Sequence, residues 1–98
     1  MAGLGKAARG KRRWIGLRVP RGAASRASCE RLLEVVLEGL RWRMYDHKPG
    51  PDGSATAIVR VPLSDCESAT SRINSEEDWH TLTRSGKIRL VRKRLELD

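Results

Sequence analysis

Phenylalanine and glutamine are absent from this 98-residue chain, and asparagine occurs once, as Asn74. Without Phe, aromatic bulk rests on Trp14, Trp42, Trp79 and a single tyrosine, Tyr45. Scarcity of thermolabile amides fits a thermophilic source, although a GC-rich genome gives the same Arg-rich bias. Cysteine is limited to Cys29 and Cys66, and histidine to His47 and His80. There is no CxxC pair, and a four-ligand metal site would consume all four residues in no recognised spacing. Buried reduced thiols are therefore expected, and no cofactor or metal bound by the protein. No apolar run approaches the roughly 20 residues needed to span a bilayer. The opening MAGLGKAARGKRR is basic but has no apolar stretch behind it, which argues against a secretory signal and for a cytoplasmic location. No catalytic constellation stands out. His80 has no partner by spacing, and Asp46, Asp52 and Asp65 lie near turns that they can cap or bend. No catalytic residues of its own are expected.

What is abundant is positive charge. The formal net charge is +8, with 20 basic side chains against 12 acidic ones. Fifteen of the basic residues are Arg, whose planar fork pairs with phosphate in two places at once. A polyanion, most often nucleic acid, is the partner this favours. Residues 1–29 carry eight basic side chains and no acid. The small, Gly-rich residues 1–10 read as a flexible basic arm, and 11–98 as one RNA-binding domain.

Order begins at Arg13-Trp14. Ile15, Leu17 and Val19 alternate with Trp14, Gly16 and Arg18, the pattern of a half-buried strand that Pro20 and Gly22 end. Ser25 or Ser28 can cap a helix over about 26–39, whose apolar face is Cys29, Leu32, Leu33, Val36, Leu37 and Leu40. RWRMYD (41–46) reads as a second strand, HKPGPDGS (47–54) as a turn, and ATAIVRV (55–61) as a third strand, completing a hairpin. Ser64 and Glu67 have capping-box spacing, predicting a second helix to about Asn74 with Cys66, Ala69 and Ile73 inward. DWHTLTR (78–84) is a fourth strand. In SGKIRLVRKRLELD (85–98), Ile88, Val91 and Leu95 share a helical face, with Arg89, Arg92 and Lys93 pointing elsewhere. Ser85 or Gly86 would cap this last helix, and its first-turn amides could meet a phosphate. The order β-α-β-β-α-β predicts an α+β, ferredoxin-like (split β-α-β) antiparallel sheet with the two helices on one face, followed by a basic C-terminal helix.

Four stretches resemble, in matching order, the small α/β protein subunit of archaeal ribonuclease P, the protein component 2 family. Eukaryotes have a counterpart shared with ribonuclease MRP. KRRWIGLRV (11–19) is similar to the family's opening strand, AIVRV (57–61) to its short strand after the turn, and RINSEEDWHTLTRSG (72–86) to its second-helix exit and last strand. SGKIRLVRKR (85–94) resembles its Ser-Gly-Thr-Ile stretch and basic helix, with Lys87 where the family usually has Thr. The link between Leu40 and Trp42 is shorter than the family's. The resemblance implies a subunit that binds the catalytic RNA of ribonuclease P, which removes the 5′ leader from precursor tRNA. RNA-bound Mg²⁺ would do the chemistry, so the chain's role in the endoribonuclease holoenzyme would be accessory. The implied partners are the RNA, precursor tRNA through the holoenzyme, a larger barrel-like protein subunit, and a second copy in a homodimer. A ribosomal-protein-like RNA-assembly protein and a ferredoxin-like regulatory domain binding a small anion are the alternatives.

The expected RNA-contacting residues are Lys11, Arg12, Arg13, Trp14, Arg18, Arg60, Arg84, Ser85, Gly86, Lys87, Arg89, Arg92 and Lys93. Trp14, on the face opposite Ile15, is the stacking candidate, while Trp42 and Trp79 are expected in the core or an interface. Glu30, Glu34 and Glu38 form an i, i+4, i+8 acidic stripe that would repel RNA, so they are assigned to a protein partner.

Overall fold

The computed structural model describes residues 11–97. The arm expected over 1–10 lies outside the described residues. Strand β1 (Arg12–Val19) is followed by helix α1 (Arg26–Val36), strands β2 (Arg43–Pro49) and β3 (Ala55–Pro62), helix α2 (Cys66–Ser75), strand β4 (His80–Ser85) and helix α3 (Ile88–Arg94). The four strands form one antiparallel sheet in the order β2-β3-β1-β4.

Alternation in β1 decides which side chains go where. Ile15, Leu17 and Val19 are fully buried in a cluster with Ala57, Val59 and Val61 of β3. Cys29, Leu33 and Leu37 from α1 and Cys66, Ala69 and Ile73 from α2 complete it, so both helices cover the same sheet face. Leu32, Val36 and Leu40 pack at its margin, as does Trp42, and Trp79 is buried within it. Helix α1 starts where expected but ends at Val36 rather than near 39: the Ser25 hydroxyl accepts from the Ser28 amide at 3.1 Å while the Ser28 hydroxyl accepts from the Ser25 amide at 3.2 Å.

Three local expectations need correction. Strand β2 begins at Arg43 rather than Arg41 and runs through His47, Lys48 and Pro49, which pair with Ala57, Thr56 and Ala55. Pro49 is tolerated because β2 is an edge strand, where a missing amide interrupts no ladder. The turn is confined to 50–54, with Asp52 at φ 58°. The Ser64–Glu67 capping box does not form. A 3-10 turn over Leu63–Asp65 leads into α2, whose N-cap Asp65 makes no side-chain capping bond. At α3 the N-cap is Lys87, and Ser85 instead accepts a hydrogen bond from the Lys87 amide at 3.1 Å.

The opposite sheet face carries α3. A β-carbon built on Gly16 would lie 2.5 Å from Leu95 and 3.1 Å from Val91, so this glycine lets the helix settle onto the backbone of β1. Ile58, the cross-strand partner of Gly16, and Val91 are both fully buried yet stand outside the main core. They form a second, smaller apolar layer. Arg94 fastens the helix to β4 through the Thr83 hydroxyl and the Arg84 carbonyl, at 2.9 and 3.1 Å.

Both cysteines are free and buried. Burial, with Glu30 adding, pushes the Cys29 thiol from 9.0 up to about 11. The unfolded chain therefore loses this proton first as pH rises, and stability present below pH 9 is lost between about 9 and 11. The expected loss is roughly 2 to 3 kcal/mol. Urea unfolding of wild type and Cys29→Ala across this range checks it. The difference between the two should shrink as pH rises, and a constant difference would refute the shift.

Candidate nucleic-acid interface

At one end of the sheet, register brings Trp14 of β1, Arg60 of β3 and Arg43 of β2 into one row. The β2–β3 pairing shifts by one residue between Met44 and Asp46, leaving Tyr45 unopposed. Such bulges re-aim a side chain. Here Arg26 donates to the carbonyls of Met44 and Tyr45 at 3.0 and 3.3 Å, tying the irregular strand to the start of α1. The Tyr45 ring stands edge-on to Trp14, with centroids 6.3 Å apart and an interplanar angle of 81°. The Arg60 and Arg43 guanidiniums lie 5.2 and 5.8 Å from the Tyr45 centroid. Among the described residues neither is paired with a carboxylate. Trp14 Nε1 is buried and has no acceptor among the described residues, an omission that costs about 1–3 kcal/mol.

Beside this group opens a cleft of about 430 Å³ lined by Arg12, Arg41, Trp42, Arg43, Arg60, Pro62 and Ser64. Asp65 meets Arg41 at 3.8 Å. Around the corner a second recess of about 320 Å³ is lined by Lys11, Arg12, Arg13, Trp14 and Gly86. Arg13 donates to the Arg12 carbonyl at 3.0 Å and lies over Gly86, where a β-carbon would come within 3.2 Å of its guanidinium. Lys11–Trp14, Arg60 and the Ser85–Gly86 corner are thus brought together as one surface. Lys87, Arg89 and Lys93 are exposed on α3.

Other expected contacts stand differently. Arg92 turns toward the sheet and grips Asp46 with Nε to Oδ2 at 2.7 Å and Nη2 to Oδ1 at 2.9 Å. The hydrogen bond to Asp46 is what raises its pKa. Its charge fastens α3 to Asp46 in β2. A double-mutant cycle with Arg92→Met and Asp46→Asn should give a coupling of about 1 kcal/mol, since the pair is bidentate but partly exposed. A coupling of zero in urea unfolding would contradict this. Arg84 is held by Glu67 at 2.9 Å on the exposed flank of α2. Arg18 is exposed at the far end of β1, beside Thr56 and His80, away from the Trp14 row. Glu30 and Glu34 lie on α1 across the sheet from this surface, but the helix ends at Val36, so Glu38, expected on the same helical stripe, falls in the turn beyond it; Glu34 and Glu38 are exposed, as is Val35 at 77%.

Arg41, Arg43 and Tyr45 were not expected in the site. The i, i+2 spacing of Arg43 and Tyr45 in RWRMYD is a strand-face signal that could have found them, whereas Arg41 precedes β2 and has none. The bulge that aims Tyr45 has no such signal.

No group of three or more His, Cys, Asp or Glu placed to hold a metal ion occurs among the described residues, and none of their helices is long and apolar enough to cross a membrane. Compared with protein-family models, curated proteins and solved structures, the chain shows no match.

Proposed function

We propose that the chain is an RNA-binding protein subunit of ribonuclease P, holding the catalytic RNA in shape while RNA-bound Mg²⁺ performs the hydrolysis. The observation that carries this reading is the gathering of positive charge and aromatic rings on one surface. Lys11, Arg12, Arg13, Arg41, Arg43 and Arg60 come together with two aromatic rings at one sheet end. Phosphate contacts supply affinity and rings supply stacking, which is how proteins hold folded RNA with unpaired positions. Strand order β2-β3-β1-β4, with two helices over one face, supports a ferredoxin-like fold. The four stretches resembling the archaeal subunit direct the reading to ribonuclease P RNA. On this reading Glu34, Val35 and Glu38 face the barrel-like protein partner.

Reconstitution of precursor-tRNA cleavage tests it. The chain alone should cleave nothing. Added to ribonuclease P RNA with the barrel-like subunit, it should raise the rate or lower the Mg²⁺ requirement. No change in either quantity, or co-purification with ribosomes rather than with ribonuclease P RNA, would overturn the assignment.

A further inference from the structure

We infer that the arginine cleft at the end of the sheet and the Tyr45 ring beside it together receive one unpaired ribonucleotide, its phosphate held in the cleft by Arg43 and Arg60 and its base laid on Tyr45. This rests on the RNA-binding reading and specifies what that surface selects. Three features converge. Arg43 and Arg60 are direct cross-strand partners, so their guanidiniums are held side by side despite their like charge. With no carboxylate paired to either among the described residues, the place is short of an anion. Two neighbouring guanidinium forks suit the several oxygens of a phosphate.

Both guanidiniums also occupy the space near the Tyr45 ring that a base would take. Drawing them toward a phosphate frees that ring, so phosphate binding and base stacking are coupled through the same two side chains. The bulge matters here, because it turns Tyr45 toward the row containing Trp14 and Arg60. Movement of the Trp14–Tyr45 pair to admit a base would also bring the unpartnered Trp14 Nε1 to an acceptor on it. The cleft, about 430 Å³, is lined by Arg43 and Arg60 but not by Tyr45, so it has room for the phosphate and sugar while the base lies outside it on the ring. An A-form duplex keeps its bases stacked inside and offers only phosphate and sugar. The cleft therefore discriminates for single-stranded positions. Since every base has a π-face, it does so with little regard to sequence.

The experiment compares wild type, Tyr45→Ala, Tyr45→Phe and Arg43→Ala/Arg60→Ala by fluorescence anisotropy. The probes are an oligoadenylate hexamer, a blunt RNA duplex and a folded RNA with a single-stranded loop. Tyr45→Ala removes the ring without touching charge. It should weaken hexamer binding about tenfold, the scale of one base–aromatic stack, and leave the duplex unchanged, while Tyr45→Phe binds like wild type. The arginine pair should weaken the hexamer more than Tyr45→Ala does. Equal hexamer affinity for wild type and Tyr45→Ala, or equal losses on hexamer and duplex, would overturn the unpaired-nucleotide site while RNA binding itself stands. Failure of the wild-type chain to bind all three probes would overturn both.

Discussion

Replacing Lys87, Arg89 and Lys93 together by Ala is expected to lower affinity for structured RNA by roughly a hundredfold at 0.1 M salt. It should also flatten the dependence of log affinity on log salt by roughly 2. The expectation follows from what these three side chains do not do. All are exposed, and none makes a salt bridge among the described residues. If each neutralises one phosphate, each contributes about 0.7 to the salt slope, the value for single strands. Thermal stability should stay within about 0.5 kcal/mol of wild type, as for most exposed substitutions. Arg92 is left out of the set because removing it would loosen α3 through Asp46 and confound binding with folding. Filter binding or anisotropy across a salt series supplies the measurement. An unaltered slope would show that these charges only solvate the helix.

Gly16→Leu should be the most damaging single change on the second sheet face, costing about 3 kcal/mol. Even one added carbon at Gly16 meets Leu95, Val91 and Thr83 at 2.5, 3.1 and 3.2 Å. Leu95 presents a flexible tip, but Val91 is fully buried and short. A larger side chain leaves two outcomes: an overpacked layer, at about 1–3 kcal/mol, or an undocked α3. Undocking exposes Val91 and Ile58, each worth about 1.5–3 kcal/mol when buried. Limited trypsin digestion separates the two, because undocking offers Lys87, Arg89, Arg92, Lys93 and Arg94 to the protease. A Gly16→Leu protein with wild-type urea midpoint and wild-type protection at these sites would contradict the docking of α3 on β1.

Helix α1 was legible because Cys29, Leu33 and Leu37 recur at the helical period and Ser25 announces the start. Strand β1 was legible because its alternation is strict from Trp14 to Val19, and that alternation also put Trp14 on the correct face. Helix periodicity likewise grouped Ile88, Val91 and Leu95, but it is silent on which surface they meet. The close approach at Gly16 settles that, and a lone glycine in a strand looks the same whether it marks a bulge, a bend or a neighbouring backbone. The pairing of Arg92 with Asp46 was not legible for a related reason. Spacing within a helix separates faces, but it cannot show that Asp46, 46 positions earlier, lies under one of them. The candidate site was half legible. Lys11–Arg13, Trp14 and Arg60 could be read from charge and alternation, whereas Tyr45 reaches them through a register shift that depends on how two strands meet. Ser64 and Glu67 had the right spacing for a cap, but Pro62 and the 3-10 turn after it already direct the chain into α2.

The most direct test of RNA binding on this face is an NMR titration of the labelled chain with folded ribonuclease P RNA fragments, followed at backbone amides and at the tryptophan indoles. Perturbations should concentrate on residues 11–14, 41–45, 60 and 85–93 and include the Trp14 indole, while 30–36 on α1 stay still. Perturbations centred on α1 and α2, with Trp14, Arg43 and Arg60 unmoved, would contradict it.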